Sequence, residues 1–273
     1  MEFESDRCLM ILNGASTQSR EKMNSATSAQ ELEMYRERFY RHYLANHRRT
    51  DLLEARERLQ GGAPYFKRLL KYLPQDKDTR VLDLGCGYGI WLYWLKEAGY
   101  HCLEGVDRSP EQVEAAHSLG LRFVVQDNIQ GYLADRKPES CDVVLAFDVL
   151  EHFGKAEVFH IVDEVFRVLT PGGLLILHLP NGEGFLSGCI TYGDFTHDLI
   201  VTRHSLAQLL RCVGFSQVSS YEDTPVVHGP VSAGRFLIWK AARTVLRIIN
   251  AAQTGDTDRG LILTQTFLAV ARK

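Results

Sequence analysis

The chain has 273 residues, 45% of them hydrophobic and 24% charged, an ordinary globular composition that can build a core of normal size. A formal net charge of −3 supplies no global positive field, which argues against nucleic acid as a partner. No run approaches the roughly eighteen apolar residues of a spanning helix. Cys8, Cys86, Cys102, Cys141, Cys189 and Cys212 stand singly, which excludes a disulfide framework and fits a reducing cytoplasm.

Residues 1–28, rich in Ser, Thr, Asn and Gln, are expected to be a disordered tail. Residues 29–75 read as a helical extension: aromatic and charged residues alternate at helical spacing up to Leu59, and a shorter helix, Tyr65 to Tyr72, stops before Pro74. Arg36, Arg38, Arg41, Arg48, Arg49, Arg56 and Arg58 lie here, and any one of them could pair with a ligand carboxylate.

From residue 76 to 273 the rhythm becomes strand, helix, strand. Arg80 to Leu84 is an apolar strand entering a glycine turn, and Ile90 to Ala98 is a helix. His101 to Val106 is a second strand ending at Asp107, after which Ser109-Pro110 supplies an N-cap and a first helical residue. Further strands are expected at Leu121–Val125, Asp142–Phe147, Leu174–Leu179, Phe215–Ser220 and Leu263–Ala271, with helices at Lys155–Leu169 and Thr202–Val213. Such alternation predicts an α/β fold, a Rossmann-like doubly wound sheet with helices on both faces.

Residues 224–260 form an insertion before the last strand. Ile238, Ala241, Ala242, Val245, Ile248, Ile249 and Ala252 share one helical face, and Lys240, Arg243 and Arg247 share another. The expectation is a lid or dimer helix that buries its apolar face on protein with solvated cations. Peripheral contact of 234–252 with a membrane surface is the other reading.

The first strand–turn–helix unit carries the strongest chemical signal. Gly85, Gly87 and Gly89 remove side chains where backbone must approach a ligand. Asp107, eighteen residues beyond Gly89 at the tip of the next strand, can accept from both hydroxyls of a ribose. A dinucleotide fingerprint needs GxGxxG, and the third glycine comes one position early for it.

Val81-Leu82-Asp83-Leu84-Gly85-Cys86-Gly87-Tyr88-Gly89 resembles the first motif of class I S-adenosylmethionine-dependent methyltransferases. Gly105-Val106-Asp107-Arg108-Ser109-Pro110, Phe147-Asp148-Val149-Leu150-Glu151-His152-Phe153 and Leu169-Thr170-Pro171-Gly172-Gly173-Leu174 are similar to three later motifs of that family, in order. The resemblance implies a seven-stranded sheet with its last strand antiparallel. It also implies S-adenosylmethionine as cofactor. Gly85 and Gly87 would lie under its amino-acid end, within a loop completed by Cys86 and Gly89, and Asp83 would sit near its ammonium group. Asp107 would hold the ribose, Arg108 would flank the adenine, and Asp127 and Asn128 would meet the adenine amine. The Phe147 backbone would face the methionine portion.

An alcohol acceptor must lose a proton, for which histidine is suited. His152 follows the fourth strand, where it either serves the site or packs the next helix. His197 lies in Tyr192-Gly193-Asp194-Phe195-Thr196-His197-Asp198, where substrate loops project; it is the leading base, with Asp194 beside it. His178, inside an apolar strand, reads as a satisfied rim residue. Local Asp194/His197/Asp198 spacing is poor evidence for a metal, and none is expected.

Asp194-Phe195-Thr196-His197 followed by Thr202-Arg203-His204-Ser205-Leu206 looks like methyltransferases of bacterial cell-surface polysaccharide and O-antigen synthesis. That likeness implies a saccharide or glycoconjugate hydroxyl as acceptor. A quinone precursor, phenol or lipid is the alternative acceptor, and a non-catalytic cofactor-binding scaffold is the alternative of another class. A homodimer is left open.

Overall fold

A computed structural model describes residues 34–36 and 38, and residues 52–273 apart from 256 and 259; between 52 and 61 a side chain is described only for Leu59. The expected tail, and Arg41, Arg48 and Arg49, lie outside the described residues, as do the Arg56 and Arg58 side chains. The chain divides into two compact units, 1–48 and 49–273. In the first, residues 34–36 and 38 are helical.

The second unit runs α1 (Leu52–Leu70), β1 (Val81–Leu84), α2 (Ile90–Glu97), β2 (Leu103–Asp107), α3 (Pro110–Ser118), β3 (Val124–Gln126), α4 (Ile129–Ala134) and β4 (Cys141–Phe147). A 3₁₀ turn (Leu150–His152), α5 (Lys155–Val168), β5 (Leu169–Pro180), α6 (Gly188–Thr191), α7 (Arg203–Val213), β6 (Gln217–Glu222), α8 (Pro230–Thr254) and β7 (Thr266–Arg272) complete it. The sheet order is β3-β2-β1-β4-β5-β7-β6. The β1, β2, β3, β4 and β5 ladders are parallel, and β7 runs antiparallel between β5 and β6. The seven-stranded fold with one reversed strand is therefore the one the motifs implied.

Each face of the sheet has its own core. Val158, Ile161, Val162 and Val165 of α5 and Leu206 and Leu210 of α7 close one face over Leu82, Leu84, Val144 and Ala146. On the other, Phe66 and Leu69 of α1 join Leu92 and Leu95 of α2 and Val113 and Ala116 of α3 over Val81, Val143 and Leu145. Burying β1 and β4 on both faces is why those strands read as continuous apolar runs.

Two expectations about helices change. The short Tyr65–Tyr72 helix is the end of the longer α1, which carries Pro64 inside it. Gly62 does not break this helix: a Cβ there would stand 3.1 Å from Trp94 Nε1, so the glycine lets α1 approach α2. In α8 the apolar stripe is not covered by the rest of the described chain. Ile238, Val245, Ile248 and Ile249 are 55–72% exposed. Arg243 instead turns inward, its Nε donating to Glu222 Oε2 at 2.7 Å, and Arg247 donates to the Asp258 carbonyl at 3.2 Å. An arginine anchored to a carboxylate on β6 sets the rotation of the helix, so the apolar stripe faces outward. No helix among the described residues is long and apolar enough to cross a membrane.

Candidate functional site

The C-terminal tips of β1, β2, β4 and β5 meet at one edge of the sheet. This is where a doubly wound fold leaves a crevice for ligands.

At β1 the turn is held open by backbone geometry. Gly85, Gly87 and Gly89 all have positive φ, at 63°, 56° and 79°. Their roles differ. A Cβ on Gly85 would lie 2.2 Å from Val149 Cγ2, and one on Gly89 would lie 2.6 Å from Leu121 Cδ1. Those two glycines allow close packing of the turn. Gly87 has room around it, its nearest neighbour being Gln112 Oε1 at 3.6 Å, and its amide donates to Asp107 Oδ2 at 2.7 Å. Cys86 is buried with its thiol pushed well up by burial and by Asp83 and Asp107, which leaves it an inert packing residue.

Two carboxylates sit under this turn. Asp107 also accepts from the Ser109 amide, at 2.8 Å through Oδ1. A carboxylate oxygen accepts two hydrogen bonds, so each retains capacity for a hydroxyl. Asp83 is 1% exposed, and its Oδ2 has no hydrogen-bond partner. Burial, then the Asp107 charge, raises its acid well above the carboxylate range; burial raises Asp107 too, against the two amides that lower it. A buried carboxylate oxygen without a partner is costly. Here it lies two residues before Gly85 and the glycine turn, and this arrangement fits a ligand that brings a cation and a diol.

The remaining residues expected at the cofactor side lie at or just after the tips of β2, β3 and β4. The Asp127 amide donates to the Asp107 carbonyl at 3.1 Å, which ties the tip of β3 to that of β2. Asp127 Oδ1 accepts from the Asn128 amide at 2.7 Å, and Asn128 caps α4 by accepting from the Gly131 amide at 2.7 Å. Arg108 is half-buried beside Asp107. Phe147 ends β4 and stands 4.6 Å from Trp91 and 5.9 Å from His178, ring centre to ring centre.

Beyond β4 the chain forms a second group. His152 Nδ1 lies 2.8 Å from Thr196 Oγ1, and Thr196 Oγ1 donates to Asp194 Oδ1 at 2.7 Å. His197 Nδ1 lies 3.1 Å from the Thr191 carbonyl, and the His152 and His197 rings meet edge-on with centres 4.9 Å apart. Amides of Asp198 and Leu199 donate to the Glu151 carbonyl at 2.7 and 3.0 Å and clamp this loop to the 3₁₀ turn. The structure thus brings His152, Asp194 and His197 together, though Asp194 acts through Thr196. Burial, with His197 nearby, lowers His152 to about 4, so its ring is neutral near pH 7. Burial and the charges of Asp148 and Asp194 raise Glu151 well above the carboxylate range.

Sequence reasoning passed over Glu151, Gln112 and Asp148. Glu151 and Asp148 stood in a quoted motif without a role, and Gln112 sat on the inward face of α3. Asp148 has φ 54° and its Oδ1 is 2.7 Å from His178 Nδ1; His178 Nε2 is 3.5 Å from Asp223, which pairs with Arg68. His178 is accordingly a partnered rim residue. A non-glycine residue held at positive φ on a strand tip marks a place where surrounding structure overrides local preference.

Comparison with known proteins agrees with this geometry. A probable S-adenosylmethionine-dependent methyltransferase of Mycolicibacterium smegmatis is 34% identical over 152 residues, 55% of each chain. The 27-O-demethylrifamycin SV methyltransferase of Amycolatopsis mediterranei is 34% identical over 115 residues, 40% of this chain and 42% of that one. The alignments span about half or less of the length of these relatives. Among solved structures, a SAM-dependent methyltransferase from Archaeoglobus fulgidus superposes with TM-score 0.58 at 24% identity, covering 77% of this chain and 93% of that one. A family model described as a methyltransferase domain matches residues 52–220, more than half of the sequence, and the chain belongs to that family.

Proposed function

We propose that the protein is an S-adenosylmethionine-dependent methyltransferase that methylates a hydroxyl of a saccharide or glycoconjugate. The observation that carries the reading is the pairing of two features at one sheet edge. One is the glycine cradle over the orphaned Asp83 carboxylate; the other is the His152–His197 group on the next strand tip.

S-adenosylmethionine, when bound, supplies an electrophilic methyl group on a sulfonium. The chain's own residues hold and aim it. Asp83 faces the cationic end, Asp107 the ribose hydroxyls, and Arg108, Asp127 and Asn128 border the adenine. The glycine turn and Phe147 shape the floor. Fixing donor and acceptor in line provides most of the acceleration in such a displacement. The acceptor hydroxyl also needs help losing its proton, and His197, backed by His152 and Asp194, is the group that provides it.

Tyr192 and Phe195, 77% and 87% exposed on the loop that carries His197, support a saccharide. Exposed aromatic faces beside a reactive group suit the apolar faces of a sugar ring. Relatives include O-methyltransferases, with a ubiquinone biosynthesis O-methyltransferase of Xylella fastidiosa 33% identical over 108 residues beside the rifamycin enzyme, and also an ajmaline N-methyltransferase of Rauvolfia serpentina, 33% identical over 110, so the histidine group rather than their names carries the choice of a hydroxyl. The outward apolar stripe of α8, with exposed Arg235 and Lys240, suits contact with an anionic membrane surface carrying a lipid-linked acceptor.

The test is incubation with methyl-labelled S-adenosylmethionine and fractionated cell-surface glycan intermediates, with a catechol acceptor in parallel. Label in a glycan supports the reading. Label only in the catechol moves the acceptor to the phenols, and none in either with no S-adenosylhomocysteine released favours a binding scaffold.

A further inference from the structure

Glu151 and His152 lie on the 3₁₀ turn after β4, and His197 on the loop after α6. One potential ligand atom from each of the three lies within 4.8 Å of the others. Glu151 is 2% exposed, yet its Oε2 has no hydrogen-bond partner. A carboxylate is seldom buried beside two imidazoles for packing alone, because an unsatisfied oxygen costs about 1–3 kcal/mol.

Hydrogen bonds orient both rings. Thr196 donates its hydroxyl proton to Asp194, and its oxygen stands 2.8 Å from His152 Nδ1. The Thr191 carbonyl can only accept, so His197 carries its proton on Nδ1. The His197 lone pair is therefore on Nε2. An imidazole oriented by an oxygen on one nitrogen, with its lone pair on the other, is the usual state of a metal-ligating histidine.

We propose that Glu151, His152 and His197 form a binding site for a divalent transition-metal ion of the zinc type. Two imidazoles and one carboxylate suit such an ion better than magnesium or calcium, which prefer oxygen ligands. Tetrahedral ligands at bonds of about 2.0–2.2 Å stand about 3.4 Å apart, so side-chain rotations of an ångström or so close the site. Three protein ligands leave a position for the acceptor hydroxyl. This rests on the reading that the acceptor is activated at this group, and it replaces direct proton abstraction by His197 with coordination. The acceptor oxygen, bound to the ion, releases its proton to water and forms the O–C bond as the methyl C–S bond breaks, and S-adenosylhomocysteine departs neutral. No metal is expected from the sequence alone because the ligands come from two separate segments.

The full chain, stripped with a chelator and dialysed, is loaded with zinc and counted by elemental mass spectrometry. Cobalt titration followed in the visible spectrum gives affinity and coordination geometry. The expected result is about one zinc per chain, with affinity at least ten- to a hundred-fold lower in His197→Ala and in Glu151→Gln. His197 is half-buried and its removal leaves the core intact, so it serves if circular dichroism shows Glu151→Gln unfolded. No stoichiometric metal in the native chain, or unchanged affinity in His197→Ala, overturns the inference. Calorimetry of S-adenosylmethionine binding to the same samples separates the two readings. Cofactor binding without metal binding defeats only the metal site, whereas metal binding without cofactor binding defeats the methyl-transfer reading.

Discussion

The tips of β1 and β2 and the loop region beyond β4 build their chemistry in different ways. On the β1–β2 side the residues come from two short stretches, 83–89 and 107–109, and backbone does most of the work: three residues at positive φ and two amides on one carboxylate. On the other side the groups are side chains brought together across 44 residues, as in the His152–Thr196 bond. The first arrangement is rigid and written locally. The second depends on loop packing, and that is where family members can differ in acceptor while sharing a cofactor.

His197→Ala should sharpen the contrast most. Turnover is expected to fall about 10²–10⁴-fold, whether His197 takes the acceptor proton itself or holds the ion that activates the hydroxyl, with S-adenosylmethionine affinity by calorimetry unchanged. An equal loss in both would make the two regions one unit. Next, Gly85→Ala places a methyl group against Val149 at positive φ. Overpacking and left-handed strain together predict about 2–4 kcal/mol lost stability in denaturant melts, and cofactor binding goes with it. Val149→Ala in that background should recover part of both; no recovery would mean that ligand contact, not packing, demands the glycine.

The double variant Tyr192→Ala/Phe195→Ala should raise the acceptor KM about tenfold, on the order of 1.4 kcal/mol, and leave cofactor affinity alone. Cofactor affinity should depend on pH through Asp83 and Asp107, both shifted upward by burial. Ionised Asp83 pairs with the cation and ionised Asp107 accepts from the ribose hydroxyls, so affinity rises with pH and levels off above their raised values. A profile flat down to the ordinary carboxylate range would show that they are not at the ligand. The smallest effect belongs to Ile238→Glu/Ile248→Glu on the outward face of α8. Stability should change by less than about 0.5 kcal/mol and turnover on a soluble acceptor not at all, while sedimentation with anionic vesicles is lost.

Much of the fold was legible. The run from Val81 through Gly89 to Asp107 shows its strand, turn and acid because each is specified by neighbours a few residues away. Ser109-Pro110 marks the start of α3, and the Ser109 hydroxyl does cap it. The continuity of α1 through residues 60–64 is not legible, because a proline and two glycines read as a break until Gly62 is seen against Trp94. In α8, periodicity identified the two stripes correctly but could not tell which one faced the protein, since an Arg243–Glu222 pair decides that.

The sequence by itself determined the order of strands and helices, the class of ligand suited to the first crevice, and the histidines near the second. Those properties follow from local rules: apolar period, glycine conformation, and acids at strand ends. Only the tertiary structure decided that Glu151 is buried beside His152 and His197, that Asp148 belongs with His178, and that α8 turns its apolar face outward. Each of those depends on contacts between segments far apart in the chain, and burial of one charge against another has no periodic signature.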